Sequence, residues 1–277
     1  MDIAKSIILS VVQGLTEFLP VSSSGHLVIV RELINMDEGL VTFDILLHLG
    51  TLISVFIVFR NEVKALIMAI IGIIYDVFRG SDIKTAVYKN HYRRLALLII
   101  IASVPTAIMG LVFKHFIYTV FSSKQAVGIF LLATGTVIWI SERVPQANIR
   151  LSNLSLWKAF GIGIAQGFAI LPGFSRSGAT ISACLFAGLH RDDAIGFSFL
   201  LSIPTILGAG ILEMKNISLL QFTMDSQLPV IIGFIASVIS GYLAIRLLLT
   251  IVRRHKLTVF SVYTWVLGII IIIWSIV

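Results

Sequence analysis

A cluster of polar and ionisable residues lies near the start of the chain, inside strongly apolar sequence. Its members are Gln13, Glu17, Ser22, Ser23, Ser24 and His26. Gln13 and Glu17 are spaced to share one face of a helix, and Pro20 then breaks that helix. The three serines therefore begin a second helix, where they cap exposed N–H groups and form a site suited to anions. His26 follows Ser23 by one helical turn, close enough to act as a base or a nucleophile.

A second cluster, in the other half of the chain, is centred on an arginine. Its members are Pro172, Ser175, Arg176, Ser177 and Thr180. The guanidinium of Arg176 presents a planar fork of donors that matches phosphate oxygens. Neighbouring hydroxyls and backbone N–H groups can complete an anion-binding nest around it. A structural alternative is that Arg176 only neutralises Glu17, and that the serines only satisfy broken backbone.

A carboxylate beside an anion-binding arginine indicates phosphate chemistry assisted by a divalent cation. Glu17 would repel a bound phosphate unless a cation lay between them, and Mg²⁺ typically uses one or two carboxylates together with substrate phosphates. A phosphate site at membrane depth implies that the rest of the substrate is lipid. Walker A, HExxH and clustered His/Cys motifs are missing from the sequence, which argues against ATP-driven function and zinc hydrolysis.

The surrounding sequence indicates an all-α integral membrane protein. The 277 residues are 57% hydrophobic and 13% charged, with a mean hydropathy of +1.00. Soluble domains average about 45–50% apolar and about 25% charged residues, so a soluble fold could not hide this much apolar surface. The net charge of +7 arises from basic residues that flank apolar segments, which is typical of membrane topology and not of nucleic-acid binding.

The apolar segments predict six transmembrane helices plus two re-entrant helix hairpins. A spanning helix needs about 17–25 residues, and the segments that satisfy this are 43–60, 95–113, 124–141, 193–212, 228–252 and 257–277. Residues 2–34 and 157–190 are each broken by a Pro/Gly/Ser cluster into halves too short to cross, so we expect hairpins there. Residues 62–78 are apolar but carry charges, and we expect them to lie in the membrane interface.

Basic residues and an internal repeat define the expected topology. Lys and Arg are concentrated in segments that fall on one side of this arrangement, which predicts both termini outside the cell. Gln13 and Gln166 are each followed by Gly, and by a second Gly twelve residues after the Gln. Three spans follow each hairpin, so the second hairpin enters from the opposite face, an inverted-topology repeat. We expect one membrane domain, 1–277, with repeats 1–142 and 153–277.

The two motifs together resemble the signatures of the bacterial undecaprenyl pyrophosphate phosphatases of the bacitracin-resistance type. The residues that carry the resemblance are Gln13-x-x-x-Glu17, Ser22-Ser23-Ser24-Gly25-His26 and Pro172-Gly-x-Ser175-Arg176-Ser177-x-x-Thr180. The resemblance extends over nearly the whole chain. It implies hydrolysis of undecaprenyl pyrophosphate to undecaprenyl phosphate and phosphate, which recycles the lipid carrier for cell-wall synthesis and confers bacitracin resistance.

The resemblance also implies a location and residue roles. The protein would lie in the bacterial inner membrane among membrane lipids, with its site open to the outer face and a required divalent cation, Mg²⁺ or Ca²⁺. Glu17 would hold the metal or transfer a proton, assisted by Gln13, and Ser23 or His26 would act as nucleophile or base. The phosphates would be bound by Ser22, Ser24, Ser175, Arg176, Ser177 and Thr180. The attacking group (Ser23, His26 or water) is left open, as is the oligomeric state, with a homodimer as one option.

A transporter or lipid flippase is the alternative from another functional class. Inverted repeats with broken helices are also a transporter design, and a midplane Glu–Arg pair could move an anion without chemistry. The Ser and His side chains beside the anion nest favour the enzyme, because transport does not require them.

Overall fold

Helices account for nearly all regular structure in the computed structural model, which describes residues 2–36, 41–113, 123–145, 148–214, 224–254 and 256–276. The helices are α1 Ile3–Phe18, α2 Ser23–Leu33, α3 Val41–Val58, α4 Arg60–Phe78, α5 Ile83–Tyr88, α6 His91–Val112, α7 Lys124–Ser141, α8 Leu156–Phe168, α9 Arg176–Phe186, α10 Arg191–Met214, α11 Met224–Arg254 and α12 Thr258–Trp274. Within these residues, β structure is limited to an isolated parallel bridge between Ile149 and Leu189. The all-α prediction is confirmed.

Several helices have the length and apolar composition of membrane spans. In the part of the chain that the structure describes, four meet both criteria, namely His91–Val112, Lys124–Ser141, Arg191–Leu212 and Gln227–Val252. The predicted segment 257–277 corresponds to an apolar helix of only 17 residues. The segment 43–60 corresponds to α3, which joins α4 at a 90° bend. The protein is therefore an all-α membrane protein, and the count of six spans stays a prediction.

The bend between α3 and α4 separates a predicted span from a charged, amphipathic helix. It falls at Phe59, whose φ of −102° and ψ of 28° leave the helical region and redirect the chain. Asp76, near the end of α4, accepts hydrogen bonds from Arg93 Nη1 at 2.6 Å and Lys89 Nζ at 2.9 Å, which tie α4 to the start of α6. The right-angle turn agrees with the predicted interfacial position of 62–78, which remains a prediction.

Helices from the two halves of the sequence pack against each other in an exchanged pattern. The first helix of the first hairpin, α1, packs along α11, and the first helix of the second hairpin, α8, packs along α6. The α7–α12 contact joins the last helices of the two halves, and α3 packs against α10 and α11. Each hairpin is thus held by a helix from the opposite half.

Glycine makes the closest of these helix contacts possible. A Cβ atom added to Gly163 on α8 would lie 2.0 Å from the carbonyl oxygen of Ala102 on α6, and one added to Gly14 on α1 would lie 1.9 Å from Ser240 Oγ on α11. Small residues are enriched at membrane helix interfaces because they let backbones approach closely. These two contacts define where α8 packs along α6 and where α1 packs along α11.

Candidate active site

The first hairpin turns where α1 ends at Phe18 and α2 begins at Ser23. Ser22 caps α2, and its Oγ accepts a hydrogen bond from Gly25 N at 3.3 Å. Ser22 has a φ of +69°, a left-handed conformation that non-glycine residues rarely adopt. Its carbonyl oxygen is bound by His26 Nδ1 at 2.7 Å, which helps to hold this conformation. Conformations of this kind cost about 1–3 kcal/mol and tend to occur at functional sites.

The second hairpin repeats this cap and is supported by α7. Ser175 Oγ accepts a hydrogen bond from Gly178 N at 3.1 Å, as Ser22 does from Gly25 in the first hairpin. Thr134 on α7 holds the turn before the cap. Its hydroxyl donates to the Gly173 carbonyl at 3.2 Å and accepts from Ser175 N at 3.0 Å.

The tips of the two hairpins are in direct contact through three hydrogen bonds. Arg176 Nη2 donates to Glu17 Oε1 at 2.6 Å. Ser177 Oγ donates to the Leu19 carbonyl at 3.0 Å, and Gly173 N donates to Ser24 Oγ at 3.3 Å. These contacts join residues about 150 positions apart in the sequence. The clusters that the sequence places in separate halves therefore form one site.

Glu17 is the centre of this site and is only 7% exposed. Its Oε2 accepts hydrogen bonds from Ser23 Oγ at 2.7 Å and from Gln13 Nε2 at 2.8 Å, and its Oε1 is bound by Arg176. A hydroxyl that donates to a buried carboxylate has the geometry of a nucleophile beside its base. Gln13 and Arg176 fix the orientation of that carboxylate from two sides.

His26 is held apart from Glu17 by two other partners. A carbonyl oxygen only accepts, so Nδ1, which contacts the Ser22 carbonyl, carries a proton. Nε2 of the neutral ring then accepts a hydrogen bond from the Tyr263 hydroxyl at 2.6 Å, and the two ring planes lie within 2° of parallel. Both nitrogens of His26 are therefore engaged in this arrangement, and neither faces Ser23 as a base.

The remaining predicted phosphate ligands differ in how free their hydroxyls are. Ser175 Oγ lies 3.2 Å from Ser177 Oγ, and Ser22 Oγ lies 3.3 Å from Ser24 Oγ, so each tip carries a pair of hydroxyls. Thr180 is different. It is fully buried, it donates to the Arg176 carbonyl, and it shares a hydrogen bond with Ser198 on α10. The Thr180 hydroxyl is therefore engaged within the protein, and its expected phosphate contact stays a prediction.

The whole chain, including these motifs, matches a known protein family. The family model described as bacitracin resistance protein BacA matches residues 6–270. The chain belongs to the BacA family. The resemblance drawn from the two motifs is therefore confirmed.

Relatives in the BacA family align with this chain end to end. A protein from Methanosphaera stadtmanae named undecaprenyl-diphosphatase is 44% identical over 100% of this chain and 99% of its own length. Proteins of the same name from Halothermothrix orenii and Carboxydothermus hydrogenoformans are each 43% identical over 99% of this chain, and over 98% and 97% of their own lengths.

Two buried polar atoms of the BacA site lack a partner among the described residues. One is Arg176 Nη1, a donor, and the other is Gln13 Oε1, an acceptor. Leaving such an atom unsatisfied costs about 1–3 kcal/mol. Arg176 Nη1 can donate to an anion, and Gln13 Oε1 can bind a cation. The two atoms together suit a ligand that consists of an anion and its bound cation.

Three residues of the BacA site lie outside both motifs and were not predicted from the sequence. His48 on α3 places Nε2 3.6 Å from Glu17 Oε2. Tyr263 on α12 binds His26, and Thr134 on α7 supports the second tip. His48 did carry a signal, since an ionisable residue inside an apolar segment is a functional candidate by default. Thr134 and Tyr263 carried no such signal in the sequence, because threonine and tyrosine are common in membrane helices.

An apolar cavity adjoins the second hairpin of the BacA site. Its volume is about 230 Å³. Its lining includes Phe130, Leu171, Phe174, Ala179 and Ala183. Phe174 and Ala179 belong to the tip of the second hairpin and to the first turns of α9, so the cavity adjoins the hairpin that carries Arg176.

Proposed function

We infer that this chain is an undecaprenyl-diphosphatase, an enzyme that converts undecaprenyl diphosphate and water into undecaprenyl phosphate and inorganic phosphate. Relatives with that name align over the full chain at 43–44% identity. The observation that carries the inference is the junction of a hydroxyl, a buried carboxylate and a guanidinium at Ser23, Glu17 and Arg176. This reaction returns the lipid carrier to the monophosphate form that cell-wall synthesis uses.

The geometry favours Ser23 as the attacking group. Its hydroxyl already donates to Glu17, which accepts the proton as the Ser23 oxygen bonds to the terminal phosphorus. The bond from that phosphorus to the bridging oxygen breaks, and undecaprenyl phosphate leaves. Water then hydrolyses the phosphoserine and releases phosphate. His26 does not take the proton in this scheme, because Ser22 and Tyr263 hold its two nitrogens.

Arg176 exchanges partners when the substrate binds. In the structure its Nη2 neutralises Glu17, while the buried Nη1 has no partner among the described residues. A diphosphate oxygen satisfies Nη1 and competes for the whole fork, since guanidinium binds phosphate oxygens in a bidentate manner. The same exchange frees Glu17 to accept the Ser23 proton. The hydroxyl of Ser175 and the N-terminus of α9 add donors for the second phosphate, whereas the Ser177 hydroxyl would first have to release the Leu19 carbonyl.

The donor set at Glu17 fits a divalent cation such as Mg²⁺ or Ca²⁺. Glu17 provides the carboxylate, and Gln13 Oε1 is a buried acceptor without a partner among the described residues. In that part of the chain no group of three or more His, Cys, Asp or Glu side chains is placed to hold a metal, so diphosphate oxygens would complete the coordination. When bound, the cation offsets the negative charge that develops on the phosphates.

We further propose that the protein lies in the bacterial inner membrane, with its site open to the outer face and both termini outside. The basic loops support this orientation by the positive-inside rule. We also propose that residues 1–142 and 153–277 form inverted repeats. The exchanged packing of α1 on α11 and α8 on α6, and the matching caps at Ser22 and Ser175, support that relationship.

The apolar cavity beside the second hairpin suits the prenyl end of the substrate. Its aromatic and aliphatic lining gives no polar group to bind water, and its volume of about 230 Å³ accommodates a short stretch of hydrocarbon. The diphosphate then lies at the hairpin tips, and the remaining prenyl chain extends into the bilayer.

Phosphate release from a defined substrate tests the proposed function. Purified full-length protein in detergent is expected to release inorganic phosphate from undecaprenyl diphosphate with Mg²⁺ or Ca²⁺, and to stop when EDTA is added. The transporter alternative gains no support from the relatives, which are named as diphosphatases. Folded protein that moves the lipid across vesicles but releases no phosphate with any divalent metal would overturn the enzyme assignment.

A further inference from the structure

His48 on α3 contacts the catalytic carboxylate although it belongs to neither hairpin motif. Its Nε2 lies 3.6 Å from Glu17 Oε2, and its side chain is 37% exposed. The separation exceeds the usual limit of about 3.2 Å for an N–H···O hydrogen bond. The pair is therefore close enough to share a ligand and too far apart to satisfy each other.

The hydrogen bond made by Nδ1 of His48 determines the tautomer of the imidazole ring, and therefore whether Nε2 faces Glu17 with a lone pair. His48 Nδ1 lies 2.8 Å from the Asp44 carbonyl oxygen, which can only accept, so Nδ1 carries a proton. In the neutral ring, Nε2 then presents a lone pair towards a carboxylate oxygen that also only accepts. The two acceptors do not bond to each other directly, and a hydrogen-bond donor such as water, or a metal ion, placed between them would satisfy both.

The surroundings of His48 match those of a metal ligand. Histidines that bind metals usually donate the other ring N–H to a carbonyl or carboxylate, as His48 does to Asp44. Two ligand bonds of about 2.1 Å place their donor atoms roughly 3.0–4.2 Å apart, depending on the angle at the metal. The 3.6 Å separation falls within that range. The Asp44 carboxylate is paired with Arg31 and does not compete for the same position.

A third donor lies next to this pair. Gln13 is fully buried, and its Nε2 binds the same Glu17 oxygen that faces His48. Its Oε1 has no partner among the described residues. Glu17 and His48 thus offer a carboxylate and an imidazole nitrogen, and the adjoining amide of Gln13 carries a buried oxygen that no described residue satisfies.

We propose that His48 is a direct ligand of the divalent cation at Glu17, which makes the site a mixed nitrogen–oxygen site. The proposal rests on the proposed function, because the cation is the one that the diphosphatase uses. Nitrogen ligands strengthen the binding of transition metals, of which Mn²⁺ is the weakest binder of the divalent series, whereas Mg²⁺ and Ca²⁺ are bound almost entirely through oxygen. The site therefore binds Mn²⁺ more tightly than Mg²⁺, and His48 is the residue that sets this preference.

Metal binding measured without turnover tests this ligand directly. Full-length protein in detergent is titrated with Mn²⁺ by electron paramagnetic resonance, with and without methylenediphosphonate as a non-hydrolysable diphosphate. We expect nitrogen modulation in the electron spin echo of bound Mn²⁺, which is lost in His48→Gln. We also expect His48→Gln to weaken Mn²⁺ binding by about tenfold or more and to change Mg²⁺ binding much less. His91→Gln, at an exposed histidine at the start of α6, is the matched control and leaves both affinities unchanged.

The outcomes separate this inference from the proposed function. Bound Mn²⁺ without a nitrogen signal in the wild-type protein overturns the His48 ligand, even if His48→Gln fails to fold. Equal Mn²⁺ affinity in the wild type and in a folded His48→Gln variant also overturns the proposal that His48 is a ligand. Phosphate release by protein that binds no divalent cation has the same consequence. A nitrogen signal in protein that releases no phosphate would support the ligand and remove the diphosphatase assignment.

Discussion

The hydroxyl of Ser23 donates a 2.7 Å hydrogen bond to Glu17 Oε2, which joins the first residue of α2 to the last turn of α1 across the break of the first hairpin. The break therefore brings the proposed nucleophile and its proposed base, six positions apart, within hydrogen-bonding distance. The same carboxylate is bound by Arg176 from the second hairpin. Glu17 thus contacts both the hydroxyl that we propose to attack the phosphate and the arginine that we propose to bind it.

Ser23→Ala removes the proposed attacking oxygen without changing the volume of the site. We expect kcat to fall by roughly 10³-fold or more, because a covalent step is lost and not merely a binding contact. The measurement is steady-state phosphate release, together with trapping of phosphorylated protein from labelled substrate. Ser103→Ala on α6, where the hydroxyl bonds only its own helix at Ile99, is the control and should retain activity. Trapped phosphoprotein in Ser23→Ala would assign the attack to another residue.

Arg176→Lys keeps the positive charge beside Glu17 but removes the planar fork. We expect the variant to fold, with kcat/KM reduced on the order of 100-fold, since one ammonium cannot hold two phosphate oxygens in a fixed geometry. Arg176→Ala should abolish turnover and also lower the thermal stability of the extracted protein, because it leaves Glu17 buried and unpaired. Phosphate release and thermal unfolding are measured on the same preparations. Wild-type turnover in either variant would place Arg176 outside the site.

Glu17→Gln retains the shape of the side chain but removes its charge and its basicity. We expect most activity to be lost at every Mg²⁺ concentration, because the amide cannot take the proton of Ser23. Activity is followed across a Mg²⁺ titration. Full recovery at high Mg²⁺ would limit the role of Glu17 to holding the cation and would assign the proton transfer to another group.

Tyr263→Phe tests whether His26 acts in the chemical step. The substitution removes only the hydroxyl that donates to His26 Nε2, and the bond from Nδ1 to the Ser22 carbonyl still orients the ring. We therefore expect less than about a tenfold loss in kcat and a change of about 1 kcal/mol in stability. A loss of several hundredfold in folded protein would make the Tyr263–His26 pair part of proton transfer.

The contact between α8 and α6 gives a matched pair of glycine substitutions. Gly163→Ala places a Cβ 2.0 Å from the Ala102 carbonyl, whereas a Cβ at Gly161, on the same helix, meets nothing within 4 Å. We expect Gly163→Ala to lower the melting temperature of the purified protein, and Gly161→Ala to leave it unchanged or raise it slightly, because alanine favours helix. Equal melting temperatures for the two variants would mean that α8 can move away from α6 at no cost.

Local sequence patterns were sufficient to predict the two hairpins and their meeting. The Pro/Gly/Ser clusters around Pro20 and Pro172 break their helices, and serines mark the caps that follow, whereas the isolated Pro105 lies inside α6. The buried charges Glu17 and Arg176 each require a partner. His48, Tyr263 and Thr134 reach the site from distant helices, and no short-range pattern encodes such contacts. A turn between the predicted span 43–60 and the interfacial segment 62–78 was expected, but its position at Phe59 and its angle were not, because the residue at the break is neither proline nor glycine.

The pairing of Glu17 with Arg176 also has a consequence for biosynthesis. The two residues are 159 positions apart, so the carboxylate leaves the ribosome long before its guanidinium partner exists. Until then, Glu17 must remain hydrated or protonated, and the first hairpin cannot settle at its final depth in the bilayer. The proposed catalytic centre therefore cannot assemble before the second hairpin has been made, and release of a nascent chain at an earlier stage would leave an uncompensated charge for membrane quality control to detect.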